Sequence, residues 1–450
     1  MTGTQRERSF VRLPPPRGQM GCVALLAALA LASGAGEQRE LSYKAELGVR
    51  ETYDSNIYIQ DKQPYATVTA PKGYVIARPQ ADSFVTTVTP NVGLSYKPCE
   101  EFNLSADYAP DMVWYHAASS EDYIAHRGHI NFSGDVDGVV WEWLNRVTWV
   151  DGNDEGPLFL RPGDVPAVGG IPLRDRRDQA VFRNSLQFTI PLGKWFVRPV
   201  FSSYVHDFQT KQRSCSDSSR PNTYYENYID REEIGGGLDA GCEVCEKTRI
   251  VAGYRFGRQH QGKLLGAESP YSNYYHRFLA GVEGTPAKWI KLAIMAGPDV
   301  RDFDPNTPRG FHRGEVLCYL DGSITLTPTP EDTLTLQATR YEQPAFSSHS
   351  VYEDIRYDVS YRHKFTDQLA ARVGFTIHVG DWQAPVNRDD WIYTPGVVLT
   401  YAFANHWTAD LSYYYDWVDN TVSPTHEGAT YADGRKWTRH LVSLGVKYSF

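Results

Sequence analysis

After its first 35 residues, this 450-residue chain has no apolar run long enough to cross a bilayer as a helix. That absence excludes a helical membrane protein, and the mean hydropathy of −0.45 agrees with it. The net charge is −9, and no basic stripe runs along the chain. Nothing in the charge pattern therefore indicates a nucleic-acid partner. Cysteine and methionine are also scarce, at six and four residues.

The N-terminus has the pattern of a secretory signal. Arginines at positions 6, 8, 12 and 17 precede a short apolar stretch, Gly21 to Ala32, and the small residues Ser33-Gly34-Ala35 suit cleavage. No leucine stands three residues before Cys22, so a lipoprotein signal is disfavoured. The sequence predicts a signal peptide at 1–35 and one domain at 36–450, and the alternative for the first segment is a frayed terminus without a targeting role.

Aromatic residues are abundant, with 29 Tyr, 19 Phe and 11 Trp, and they favour strands. Apolar and polar residues alternate with period 2 from end to end, for example where Val442, Leu444 and Val446 alternate with Ser443 and Gly445. About 18 such segments can be counted. Because the polar positions carry full charges, the pattern predicts an all-β fold, a closed antiparallel transmembrane β-barrel in the outer membrane.

The connections alternate in length. Tight turns, such as Asp137-Gly138, Leu192-Gly193-Lys194 and Phe365-Thr366, alternate with mostly longer loops, such as 152–177 and 209–228. Outer-membrane barrels have short periplasmic turns and long outer loops, so we expect the tight turns in the periplasm. One long strand is predicted at 101–117.

Two stretches resemble known outer-membrane proteins. The last ten residues, Leu441 to Phe450, resemble the C-terminal assembly signal of outer-membrane barrels, which implies that Tyr448 and Phe450 are read by the barrel-assembly machinery. The opening Leu47 to Tyr58, with Tyr53-Asp54-Ser55-Asn56, resembles the first strand of the "putative beta-barrel porin 2" type. That resemblance implies a barrel in contact with outer-membrane lipid, and it says little about function.

Strand alternation predicts which charged residues face the lumen. About sixteen of each sign do so, and this balance argues against strong ion selectivity. Such residues can tune permeation or can stiffen the wall as a mesh of salt bridges, and both roles can coexist. The candidate pore-lining residues are Arg146, Arg183, Arg198, Arg249, Arg255, Arg356, Arg362, Arg372, Arg439, Lys447, Asp107, Glu142, Asp239, Asp358, Asp410 and Asp416.

The long loop 152–177 joins the fifth and sixth predicted strands, the place at which general porins fold a loop inward. It is either a constriction or an ordinary surface loop. Its candidate constriction residues are Arg161, Asp164, Arg174, Asp175, Arg176 and Arg177.

Cysteines and histidines give no catalytic pattern. Cys242 and Cys245 form a C-x-x-C motif without the βαβ context of a redox protein or the further ligands of a zinc site, so a local disulfide or two idle thiols is expected. No nucleophile–base spacing stands out among the 13 histidines, and we expect neither an enzyme nor any cofactor or metal.

The favoured function is a porin-like channel for small hydrophilic solutes. One alternative is a pore for polysaccharide export, in which tyrosines such as Tyr319, Tyr341, Tyr352 and Tyr414 would stack on sugars and periplasmic export partners would be required. Another is a structural or adhesive barrel that displays its outer loops. The sequence leaves the oligomeric state open.

Overall fold

The computed structural model describes residues 40–60, 80–99, 101–156, 167–217, 220–226, 228–307, 311–347, 349–384, 386–422 and 436–450. The predicted signal peptide lies outside the described residues. No helix in the described ranges is long and apolar enough to span a membrane.

The described residues are almost entirely β-strand, as the alternation predicts. The strands are β1 (Glu40–Asp54), β2 (Ser83–Cys99), β3 (Phe102–Tyr108), β4 (Asp111–Tyr115), β5 (Tyr123–Val136), β6 (Val139–Asp151), β7 (Gln179–Leu192), β8 (Trp195–Phe208), β9 (Arg213–Asp217), β10 (Arg220–Glu226), β11 (Arg231–Cys245), β12 (Thr248–Gln261), β13 (Asn273–Ala287), β14 (Ile290–Phe303), β15 (Gly314–Leu326), β16 (Asp332–Pro344), β17 (Val351–Lys364), β18 (Leu369–Trp382), β19 (Arg388–Ala404), β20 (Trp407–Val422) and β21 (Thr438–Ser449). Two short helical pieces accompany them, a 3-10 turn (Ser119–Glu121) and α1 (Ala167–Arg174).

Each barrel strand pairs antiparallel with its neighbours in chain order, and β21 pairs with β1 to close the sheet. Strands β3 and β4 occupy one position between β2 and β5, so the barrel has 18 strand positions. The single strand predicted at 101–117 is interrupted at Ala109-Pro110, because proline has no N–H to donate to a ladder. Apart from this break, the predicted closed antiparallel barrel is confirmed.

The two ends of the barrel differ in their connections. At one end the described connections are short turns, and Asp137-Gly138 has positive φ at both residues, the geometry of a tight hairpin. The other end carries the long loops. The loop predicted at 209–228 contains a separate hairpin of β9 and β10, which the sequence pattern did not indicate.

The outward face of the wall is apolar. On neighbouring strands, Tyr361, Val373 and Val397 are aligned by register, and all three are exposed. Arg372, which precedes Val373 on β18, points to the opposite face and contacts Tyr414 there. A continuous outward belt of this kind is what hydrocarbon requires of a barrel.

Candidate functional site

Contacts between strands that are not neighbours identify the inner face. Arg198 on β8 donates hydrogen bonds to both oxygens of Glu283 on β13, with N···O distances of 3.1 and 3.0 Å. Strands β11 and β12 lie between these two. Side chains three strand positions apart can meet only across the concave side of the sheet, so both face the lumen.

Most predicted lumen charges belong to a mesh of ion pairs. Asp239 accepts from Arg198 at 2.9 Å and from Arg255 at 2.6 Å, while Arg249 lies 3.8 Å from Glu283. Further along the wall, the fully buried Arg301 binds Asp299 at 2.7 Å.

Further predicted residues have partners at the seam between β1 and β21 and on other strands. At the seam, Arg439 binds Asp54 at 2.6 Å and lies 3.8 Å from Asp416, Asp410 binds Arg50, and Lys447 binds Glu46 at 3.2 Å. On other strands, Arg356 binds Asp358 at 2.7 Å, Asp107 faces His129 at 3.3 Å, and Glu142 accepts from Gln187 at 2.9 Å.

Four predicted arginines stand outside this mesh. Across the described chain, no carboxylate lies within ion-pair distance of Arg146, Arg183, Arg362 or Arg372. Arg146 is the register partner of Arg183, and Arg362 is the register partner of Arg372. Each pair therefore places like charges directly opposite each other, an arrangement that destabilises a sheet unless something intervenes.

The closed sheet thus has an apolar outer belt and a charged inner face. The chain is an outer-membrane β-barrel. Its short turns then face the periplasm and its long loops face outward. At the periplasmic rim, the rings of Tyr448 and Phe450 meet edge to face at 4.7 Å, and Tyr448 lies 4.8 Å from Trp407. Their role as an assembly signal stays a prediction.

The described part of the long loop lies inside the barrel. We call residues 167–177 the inner segment. Val168, Gly169 and Gly170 have positive φ, a conformation rare for a β-branched residue such as Val168. The Val168 N–H donates to the buried Asp390 carboxylate at 2.9 Å, and the ring of Phe346 occupies the space where a side chain at position 169 would lie.

Charges of the inner segment act as anchors. Arg176 and Arg177, each 1% exposed, both bind Glu121, at 3.3 and 2.8 Å, and Arg176 also donates to the Ile57 carbonyl. They contact buried groups instead of lining a water-filled eyelet. Arg174 pairs with Asp175 and lies over the Phe346 ring. The other two constriction candidates, Arg161 and Asp164, lie outside the described residues.

Outer loops pack around the inner segment into two buried clusters, which together we call the outer plug. The sequence pattern does not show that these residues pack together, because a loop carries no periodicity to indicate that it turns inward. The plug consists of Ile57, Tyr58, Ile59, Val85, Val113, Tyr115, Ala118, Ala167, Leu173, Val418 and Trp437, with Val168, Phe208, Tyr228, Ala345, Phe346, Tyr352, Trp382 and Val386.

The periplasmic half of the lumen is less filled. A cavity of about 680 Å³, the periplasmic cavity, lies against the strands on both sides of the seam. Its lining residues are Gly48, Val49, Arg50, Thr87, Thr89, Arg362, Arg372, Val398, Thr400, Thr408, Asp410, Ser412, Tyr414, Gly445, Val446 and Lys447.

Two carboxyls at the outer rim have raised pKa values. Burial, together with the nearby carboxylates of Asp151, Asp154 and Asp207, raises the pKa of Asp178 to about 6. Burial also raises the pKa of Asp230 to about 6, against the lowering effect of the Phe208 N–H that it accepts at 2.7 Å. Both residues precede a barrel strand at its outer end.

Cys99, Cys242, Cys245 and Cys318 are free thiols, so of the two expectations for the C-x-x-C motif the structure has the unpaired one. Within the described ranges, no group of three or more His, Cys, Asp or Glu residues is arranged to hold a metal ion.

Comparison with known proteins adds likenesses of architecture. No family model matches the sequence, and a search of curated proteins finds no match. Among solved structures, the outer membrane protein OpdK of Pseudomonas aeruginosa is 11% identical, with a TM-score of 0.40, covering 91% of this chain and 98% of its own. The outer membrane channel DcaP of Acinetobacter baumannii is 11% identical (TM-score 0.41; 92% and 97% covered), and an anion-selective porin from Comamonas acidovorans is 9% identical (TM-score 0.37; 92% and 100% covered).

Proposed function

We propose that the barrel is a porin-like channel for small hydrophilic solutes. The observation that carries this proposal is the polar periplasmic cavity of about 680 Å³ in an 18-position barrel, a size class wide enough to leave water inside. Hydroxyl and guanidinium groups line it, so a hydrated solute keeps hydrogen-bond partners as it passes. We also propose that the chain is of the beta-barrel porin 2 type, on its opening stretch.

The outer plug makes the channel gated. Phe346 and Ile59 are 0% exposed, so water and solute have no room beside them in the packed arrangement. The inner segment crosses to the far wall at Asp390, and its release would open the lumen from the outside. Access therefore depends on movement of loops, which are outside the hydrogen-bonded ladder of the wall.

The alternatives draw less support from the contacts. Tyr352, one of four tyrosines considered for stacking on a polysaccharide, is buried against Trp382 at a ring distance of 4.7 Å. The Tyr319 ring lies under the Arg277 guanidinium at 4.6 Å. In each of these two tyrosines one ring face is thus engaged by the protein itself, whereas Tyr414 lines the periplasmic cavity.

Planar-bilayer conductance tests the proposal. The wild-type barrel should show brief openings, and replacement of residues 156–174 by a short Gly/Ser linker should give larger and longer openings while heat-modifiable migration shows a folded barrel. The matched control replaces only the hairpin of β9 and β10, residues 213–226, and keeps the inner segment and Tyr228 of the outer plug unchanged. Silence of both wild type and linker variant would support a scaffold or an exporter instead.

A further inference from the structure

Among the described residues, no carboxylate lies within ion-pair distance of Arg362 or Arg372, the arginine pair in the periplasmic cavity. The two residues are directly opposite each other on β17 and β18. Turn geometry fixes this register over the whole hairpin, so the backbone holds the two positions opposite each other. Elsewhere in the lumen, arginines of the mesh each bind at least one carboxylate, as Arg198 and Arg255 do with Asp239.

Neighbouring charges do not cancel the pair. Arg50 and Asp410 neutralise each other, with N···O distances of 2.9 and 3.0 Å. Lys447 is bound by Glu46. Of the five charged residues that line the cavity, four are basic and Asp410 is the one acid, and that acid is already engaged.

Hydroxyl groups complete the lining around the pair. The Arg372 guanidinium donates to the Tyr414 hydroxyl at 3.4 Å. Tyr414 can lie flat against the wall because its register partner is Gly396, where any side chain would occupy the position of the ring. Thr400 and Thr408 add further hydroxyls to the same cavity. The site thus offers forked N–H donors and neutral donors together, without a free acceptor of negative charge.

We propose that Arg362 and Arg372 form a binding site for a small oxyanion, a carboxylate or phosphoryl group. The guanidinium fork matches both groups and can bind them through two parallel hydrogen bonds. An anion between the two arginines would also compensate the two like charges that the register places opposite each other. The inference deepens the proposed channel function, since an anion reaches the cavity through the lumen.

Isothermal titration of the folded barrel in detergent tests the site without requiring conductance. Succinate and inorganic phosphate are the two probes, each titrated at low ionic strength. The double variant Arg362→Gln/Arg372→Gln should bind at least about tenfold more weakly than wild type, because it loses charge-assisted hydrogen bonds. The control Arg356→Gln/Asp358→Asn removes a neutralised pair from the same strand, β17, and should leave both affinities unchanged.

The outcomes separate the possibilities. Stronger binding of succinate assigns the site to carboxylates, and stronger binding of phosphate assigns it to phosphoryl groups. Arg362→Lys/Arg372→Lys keeps the charge but loses the fork, so weaker binding by this variant supports bidentate contact. Equal affinity of wild type and the double Gln variant, or no saturable binding of either probe to wild type, overturns the proposal. Those results would leave the conductance test of the channel untouched.

Discussion

In the outer half of the lumen, Arg301 is fully buried and donates to Asp299 at 2.7 Å and to Gln259 at 2.7 Å. In the periplasmic half, Arg362 is exposed to the cavity and faces another arginine. Both residues are arginines, but Arg301 stabilises the fold through its buried contacts, whereas the Arg362 guanidinium remains available to a ligand. The alternation along the strands assigns both arginines to the lumen face and does not distinguish them. Their contacts do, because only Arg362 is available to a solute.

This difference changes the expectation for ion selectivity. The even count of acids and bases along the strands argued against a preference for either sign. Asp239, Glu283 and Asp299 are all consumed by ion pairs within the wall, and the guanidiniums of Arg362 and Arg372 are not. An ion in the periplasmic cavity therefore meets net positive charge, although acids and bases along the strands are equal in number.

The largest expected effect comes from breaking the outer network. Arg301→Met should lower the free energy of unfolding by about 3–5 kcal/mol, because it leaves the buried Glu342 without its cation and removes one of the two arginines that bind Asp299. Arg362→Met in the periplasmic half should change it by less than about 0.5 kcal/mol, since no partner is left behind. Urea unfolding of the vesicle-inserted barrel, followed by tryptophan fluorescence, measures both. Equal losses would mean that the two halves do not differ in this way.

A smaller effect tests how closely the cavity wall is packed. A Cβ at position 445 would lie 2.6 Å from Asp410 Oδ1 and 3.2 Å from Arg50 Nη2, because this ion pair crosses β21 above Gly445. At Gly48, the nearest atom would be 3.6 Å away. Gly48→Ala should therefore stabilise the barrel by about 0.5–1 kcal/mol, as alanine usually does in a strand.

Gly445→Ala should not show the stabilisation expected of Gly48→Ala, because the exposed end of the Arg50–Asp410 ion pair must move to make room for the methyl group. The two variants are compared by the same urea titration. A crystal structure of Gly445→Ala with the Arg50–Asp410 pair unmoved would contradict the packing argument.

The smallest effect concerns pH at the outer rim. The folded-state pKa of Asp178 is raised to about 6 from an ordinary value of 3.8, so the packed loops bind a proton that the released loops do not. Their stability consequently falls as pH rises from about 4 to about 6 and is constant above that range. Channel openings should be more frequent at pH 7 than at pH 5.

Asp178→Asn should flatten this dependence, and Asp137→Asn, in a periplasmic turn, is the matched control. Bilayer recordings with the outer side titrated provide the measurement. An unchanged pH profile in Asp178→Asn would assign the dependence to other groups at the rim.

The sequence predicts the wall of the barrel well because each strand carries its own evidence. Period-2 alternation identifies both faces of β18, with Phe375 outward and Thr376 hydrogen-bonded to Asp358 on the inner side. Turn and loop lengths then fix the direction of every strand. A break such as that at Pro110 is a local event that alternation overlooks.

Pairing within the lumen is harder to predict. The tight turn predicted at Phe365-Thr366 differs from the observed connection, since β17 ends at Lys364 and β18 begins at Leu369. A shift of this size changes the register partner of every residue in the hairpin, so Arg362 opposite Arg372 could not be derived. Contacts that span several strands, such as that of Val168 with Asp390, depend on how a loop folds inward.

The seam between β1 and β21 has a consequence for the order of folding. Lys447 and Ser449 bind Glu46 across sequence separations of 401 and 403 residues, and the Phe450 N–H donates to the Ala45 carbonyl at 2.9 Å. These contacts cannot form until the last residues of the chain have been made and delivered. Until then both edge strands present unpaired backbone groups, which invite pairing with other chains. Closure over so long a separation is also slow, because the entropy of a long loop is lost before its contacts form. Before closure the chain is an open sheet with two unpaired edges, and the risk of aggregation depends on how quickly β1 and β21 pair.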